Sequence, residues 1–174
     1  SDVFSTQEAF GSIMTNIGRD ESLSRHILTA SPDVAVSTNL GGWINRSGVY
    51  HPRGKTDFFA LQQIQRLLKW EESPQGRHIE LGISENNLML LLAAFGLSEE
   101  LCGVRLCPIG TLYDTFIGRC LDALRYAVYN GGRFIMVATP SGTSLSPEGG
   151  AHQSILTPAL GLEMPGLEAF EPAF

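Results

Sequence analysis

His78-Ile79-Glu80-Leu81-Gly82-Ile83-Ser84-Glu85-Asn86-Asn87-Leu88-Met89-Leu90-Leu91-Leu92-Ala93-Ala94-Phe95 changes its periodicity part-way along. His78 to Ile83 reads as a strand, whereas Leu88, Met89, Leu91, Leu92 and Phe95 recur at helical spacing, so Ser84 to Asn87 is a turn from strand into helix. The same alternation continues in both directions. Upstream, Ser5-Thr6-Gln7-Glu8 has capping-box spacing and opens a helix with Phe10, Ile13, Met14 and Ile17 on one face. His26 to Ala30 is a short strand ended by the turn residues Ser31-Pro32-Asp33, and a polar, glycine-bearing loop runs through Asn39 to Gly42. Asp57 is placed to cap a long helix to Trp70 that carries Phe58, Leu61, Ile64, Leu67 and Leu68, and Pro74-Gln75-Gly76 breaks the chain after it.

Downstream, Cys102 to Cys107 is a strand candidate, followed by a turn at Pro108-Ile109-Gly110 and a helix with Thr111 and Asp114 in capping-box register. Arg133 to Ala138 is the clearest strand. A loop from Pro140 to Gly150 leads to a short helix near His152, and Leu167 to Phe170 is the last strand. Strands alternating with helices imply right-handed crossovers, hence an α/β fold with an open, mostly parallel sheet and helices on both faces. Ligands of such sheets sit at the carboxyl ends of the strands. The turns at Asp33, Glu85, Gly110 and Gly142 are therefore expected along one edge.

With 174 residues and 43% hydrophobic content, the chain has the size of one domain with a full core, residues 1–174. The absence of any long apolar run or basic-apolar leader sets aside a membrane span and a secretory signal, so a cytoplasmic location is expected. A first residue that is Ser rather than Met, and an end at Phe174 just after a strand-like run, are read as excision from a longer polypeptide. A net charge of −6, with no basic cluster beyond Arg53-Gly54-Lys55, argues against nucleic acid as a partner. The three cysteines, Cys102, Cys107 and Cys120, lack zinc-type pairing and fit structural thiols in a reducing compartment. Asn45-Arg46-Ser47 matches the glycosylation pattern, a frequent chance match.

Glu85 is the first candidate for chemistry, because a carboxylate between strand and helix sits where oriented backbone groups meet a cleft. The helix macrodipole alone also favours glutamate there. Tyr113 and Phe116 share a helix face, suited to a core or to a ring-stacking shelf. His152 follows a flexible loop and reads equally as a surface histidine. No G-x-G-x-x-G, Walker or G-x-S-x-G motif occurs, which removes the signatures of a dinucleotide site, a phosphate loop and a nucleophile elbow. Ser141-Gly142-Thr143-Ser144 reads better as a solvated connection than as an anion loop.

Taken in order, these positions resemble the central, pyrimidine-binding domain of transketolase and of the homodimeric pyruvate dehydrogenase component. Leu81-Gly82-Ile83-Ser84-Glu85-Asn86-Asn87 is similar to the segment with that family's signature glutamate. Gly110-Thr111 and the helix with Tyr113, Phe116, Arg119 and Asp122 resemble its aromatic-bearing helix. Glu148-Gly149-Gly150-Ala151-His152-Gln153 is similar to transketolase's acid-glycine-x-x-histidine-glutamine stretch, and Glu171-Pro172-Ala173 to the sequence closing the domain. Trp43 to Tyr50 with the Pro52 to Gly54 turn and the helix to Trp70 looks more like the dehydrogenase, whereas the His152-Gln153 pair leans toward transketolase.

The resemblance implies a thiamine-diphosphate enzyme acting on a 2-oxoacid, with pyruvate the first expectation and transketolase the near alternative. It also implies roles. Glu85 would hydrogen-bond the cofactor's pyrimidine nitrogen and drive its tautomerisation, Phe116 would stack on that ring, and Tyr113 would line the pocket. Asp33 resembles the acid near the aminopyrimidine, His152 would donate to the substrate oxygen, and Glu148 matches an acidic position beside it. The family's G-D-G motif for diphosphate and Mg²⁺ has no counterpart here, so the metal is expected on another domain. By the same resemblance the parent protein works as a homodimer, with a lipoyl-bearing acyltransferase subunit as partner if it is a dehydrogenase component, and the fragment alone is inactive. A non-catalytic binding or assembly module is the competing reading from another class.

Overall fold

The computed structural model describes residues 4–66, 69–155 and 157–172. Six strands form one sheet: β1 (Ile27–Ser31), β2 (Val49–Tyr50), β3 (Glu72–Ser73), β4 (His78–Glu80), β5 (Cys107–Leu112) and β6 (Ile135–Ala138). Their order is β3-β2-β4-β1-β5-β6, and every pairing is parallel. The register places Ala30 opposite both Ile79 and Gly110, and Gly110 opposite Met136. The helices are α1 (Thr6–Ile17), α2 (Glu21–Ser24), α3 (Gly41–Ser47), α4 (Phe58–Leu61), α5 (Glu85–Gly96), α6 (Ser98–Cys102), α7 (Leu121–Tyr129) and α8 (Thr157–Glu163). Segments of 3-10 helix cover Asp114–Cys120, Gly142–Glu148 and Gly150–His152.

Side chains of one strand point alternately to the two faces, and the two halves of the core follow that alternation. Ala30 and Leu112 join Leu88, Met89 and Leu92 of α5 and Leu124 and Ala127 of α7. Ile27 and Ile109 join Met14 of α1 and Leu40, Trp43 and Ile44 at α3. The result is the expected α/β sandwich with helices on both faces, and no described helix is long and apolar enough to cross a membrane. The capping box at Ser5 and Glu8 is formed, and Asp57 caps its helix by accepting from Ala60 N–H.

Several expectations change. Gly110 is not in a turn: Cys107 to Leu112 is the strand, Cys102 ends α6, and Thr111 lies inside β5 with its hydroxyl 3.0 Å from that of Thr38. Glycine reads as punctuation in sequence, but here a Cβ would come within 2.5 Å of Leu92 Cδ1 and 3.2 Å of Leu88 Cδ1. The missing side chain lets α5 lie close on the sheet. Gly42 acts likewise for α3, where a Cβ would run into Thr15 of α1, so the loop expected through Gly42 already enters a helix at Gly41. The long helix from Asp57 is a single turn, Phe58–Leu61, after which Gln63 takes φ 55°. Phe58, Phe59, Leu61 and Ile64 are exposed, so there is no buried face to sustain more turns, and Leu67 and Leu68 lie outside the described residues. Ile13 is exposed although it was expected on the buried face of α1. Leu167 to Phe170 is not a strand, and α8 precedes it.

Candidate functional site

Parallel strands put the ends of β1, β4, β5 and β6 on one edge, and the sequence candidates hang from those ends. Glu85 is the first residue of α5, three residues after the Gly82 bend that follows β4. Only 5% of it is exposed. Its N-cap, Ser84, makes no side-chain capping bond, so the turn is fixed by tertiary contacts rather than by local capping. Both carboxylate oxygens accept from Arg119 Nη1, at 3.1 and 3.2 Å. A carboxylate this buried requires such compensation.

Arg119 belongs to the 3-10 segment Asp114–Cys120 that leaves β5, and the same segment carries Phe116. The guanidinium carbon of Arg119 stands 4.0 Å from the centroid of the Phe116 ring. Tyr113, at the N-cap of that segment, meets Phe116 edge-to-face at 5.9 Å. His152 closes the group: its ring lies 5.0 Å from Tyr113 and 5.3 Å from Phe116, with interplanar angles of 71° and 61°. Four of the six expected residues, Glu85, Tyr113, Phe116 and His152, thus form one contiguous group joined through Arg119.

The other two stand aside. Asp33 is exposed with φ 67°, and its backbone N–H donates to Glu80 Oε1 at 2.7 Å. Glu148 is exposed at the end of the 3-10 turn Gly142–Glu148. Among the described residues, no hydrogen bond or ion pair joins either carboxylate to the aromatic group. Two surface concavities, of about 420 Å³ beside α1 and about 330 Å³ near Gly132 and Ile135, are lined by other residues.

Among the described residues, three buried polar atoms of the segments carrying the rings have no hydrogen-bond partner: His152 Nδ1, Gln153 Nε2 and Asp114 Oδ2. Their segments are tied together, since Thr115 Oγ1 donates to the Gln153 carbonyl at 3.2 Å and Thr157 Oγ1 to that of Asp114 at 3.4 Å. Unsatisfied buried groups are uncommon; among the described residues a fourth, Ser47 Oγ, lies at the end of α3. Burial pushes the Asp114 carboxyl up, against the hydroxyls of Ser141 and Thr157, with Glu171 adding to the rise. Burial, followed by the charge of Glu85, pushes the Cys120 thiol up to about 11. That thiol is therefore protonated and inert. Sequence reasoning gave Arg119 and Asp114 no role. Asp114 reads in sequence as a helix cap and Arg119 only as one residue of the aromatic-bearing helix, and it is the turn after β5 that brings both to the site.

Among the described residues no group of three or more His, Cys, Asp or Glu is placed to hold a metal ion. The remaining chemistry is that of a flat ligand with polar edges: a buried carboxylate, two aromatic rings and an imidazole. The pyruvate dehydrogenase E1 component of Corynebacterium glutamicum is 27% identical over 158 residues, which cover 90% of this chain and 17% of that protein. A probable transketolase of Schizosaccharomyces pombe is 33% identical over 101 residues, 56% of this chain and 14% of that protein. The transketolase structure from Leishmania mexicana superimposes with a TM-score of 0.68 at 21% identity over 95% of this chain and 21% of that one. The family model described as transketolase, pyrimidine binding domain, matches residues 2–173, and the chain belongs to that family.

Proposed function

We propose that the chain is the aminopyrimidine-binding part of a longer thiamine-diphosphate enzyme and that the enzyme oxidatively decarboxylates a 2-oxoacid, with pyruvate the first candidate. The observation that carries this reading is the buried Glu85 carboxylate, linked through Arg119 to the mutually packed rings of Phe116, Tyr113 and His152. These residues fit an aminopyrimidine: the carboxyl matches a ring nitrogen, the aromatic rings match its faces, and His152 Nδ1 is a buried polar atom without a partner. They do not supply a diphosphate or Mg²⁺ cradle, and those are assigned to a domain outside this chain. Because the chain spans 17% of its dehydrogenase relative, activity belongs to the whole protein, proposed as a homodimer with a lipoyl-bearing acyltransferase subunit as acceptor.

When bound, thiamine diphosphate supplies a carbon nucleophile and an electron sink for cleaving the bond beside a carbonyl. Glu85 holds or releases one proton at its carboxyl oxygens toward the ring nitrogen. Burial keeps water from competing for that proton, so the exchange is confined to one pair of atoms. Phe116 and Tyr113 fix the plane of the ring, and their mutual packing holds that plane before binding. His152, oriented by both rings, donates to an oxygen of the substrate on which charge develops. Asp33 and Glu148, exposed on the same edge, stay available to the ring's amino group and to the substrate.

The 2-oxoacid reading is supported by the dehydrogenase relative, which matches 90% of the chain against 56% for the transketolase relative. A two-carbon ketol transfer between sugar phosphates remains the second reading, favoured by the His152-Gln153 pair. Full-length protein assayed with pyruvate and an artificial electron acceptor, in parallel with a ketose-phosphate donor and an aldose-phosphate acceptor, separates the two. Reduction of the acceptor dye with pyruvate is expected. Ketol transfer without pyruvate oxidation would replace this reading by the second.

A further inference from the structure

The groups assigned to the pyrimidine ring are already engaged by a side chain of the same shape. Arg119 Nη1 contacts both oxygens of Glu85, at 3.1 and 3.2 Å, and the guanidinium carbon lies 4.0 Å from the Phe116 centroid. A guanidinium is flat, delocalised and bordered by N–H donors, and so satisfies a carboxylate at its edge and an aromatic ring on its face at once. An aminopyrimidine offers the same two surfaces. A ring bound to Glu85 and stacked on Phe116 would compete with Arg119 for the carboxylate oxygens and for the phenyl ring.

The two partners of the ion pair differ in freedom. The Arg119 side chain is 54% exposed, whereas that of Glu85 is 6% exposed. Arg119 can swing into water at little cost, but Glu85 cannot be left alone. We propose that Arg119 is a stand-in for the cofactor ring: it compensates Glu85 while the site is empty and leaves for solvent when the ring arrives. The proposal rests on the reading that Glu85 and Phe116 receive the aminopyrimidine. Its consequence is a competition within the protein. The apparent affinity for thiamine diphosphate is lowered by the fraction of molecules in which Arg119 is seated, and about nine-tenths occupancy corresponds to a tenfold effect.

The test uses the full-length apo protein with saturating Mg²⁺, measuring thiamine diphosphate binding by calorimetry and melting temperature with and without the cofactor. Arg119→Met keeps the stem and removes the fork. It is expected to lower the melting temperature of the apo protein, to bind thiamine diphosphate about tenfold more tightly, and to melt with the wild type once loaded. Arg119→Gln, which keeps one donor nitrogen without the charge, is expected between the two and serves if the methionine variant does not fold. Unchanged or weaker binding in both variants would overturn the stand-in. Phe116→Ala separates that failure from failure of the underlying reading. Weaker binding by Phe116→Ala together with no tightening by the arginine variants rejects only the stand-in, while unchanged binding by Phe116→Ala rejects the ring site and the stand-in together.

Discussion

Two buried polar clusters sit on the same sheet and are built to opposite standards. Beneath β1 and β4, Trp43 Nε1 donates to Thr29 Oγ1 at 2.8 Å, and that hydroxyl lies 2.9 Å from His78 Nδ1. His78 Nε2 is 3.4 Å from Glu80 Oε2, and the other oxygen of Glu80 accepts the Asp33 N–H. Every side-chain polar atom along that path has a partner, and His78 is 1% exposed. In the segments that follow β5 and β6, by contrast, Asp114 Oδ2, His152 Nδ1 and Gln153 Nε2 are buried without one among the described residues. Both clusters contain a histidine and a carboxylate, so residue type does not distinguish them. Satisfaction does: the first network closes on itself and holds the sheet to α3 and to the Asp33 turn, while the second leaves valences that a ligand can take up.

The contrast breaks first at Glu85. In the full-length protein, Glu85→Gln should retain the fold within a few degrees of melting temperature and lower turnover by roughly 10²- to 10³-fold. Turnover unchanged by that substitution would place the carboxylate with the structural network instead. Thr29→Val should have the reverse signature. It removes the acceptor of Trp43 and the partner of His78, costing about 2 kcal/mol in urea unfolding of this chain, with cofactor affinity of the folded parent protein unaltered. A loss of affinity without loss of stability would show that the closed network also serves the site.

The smallest effect is at Asp114 and depends on pH. Because burial raises its folded-state value, the folded chain prefers the protonated acid, and the associated stability is present below the ordinary carboxylate range and lost as pH rises through the raised value. Asp114→Asn should therefore stabilise the chain at neutral pH, by less than about 1 kcal/mol, with the gain disappearing below roughly pH 4. Urea midpoints measured at both pH values report it. A gain that persists at low pH would assign the effect to hydrogen bonding by the amide rather than to the charge.

Much of this arrangement was legible along the chain. The change of period after Ile83 places Glu85 at a strand-to-helix junction, and the spacing of Tyr113 and Phe116 places them on one side of a short helical segment. Alternating strands and helices require a parallel sheet, because a parallel partner is reached only by crossing over, and that alone gathers the junctions on one edge. The errors share one cause. Local propensity alone makes Gly110 a turn, Gly42 part of a loop and the apolar residues after Asp57 a long helix, yet the first two are dictated by the close approach of α5 and α1, and the last lack a surface on which to fold.

The sequence by itself determined the layers of the fold and the edge on which the strand-to-helix junctions, Glu85 among them, are gathered, since these follow from period and order. The tertiary structure decided which groups meet. Arg119 and Glu85 are 34 residues apart, with α5, α6 and β5 in between, and no local rule pairs them. Their contact exists because β4 and β5 flank β1 in register and deliver both turns to the same place, where a carboxylate removed from water must find a positive partner.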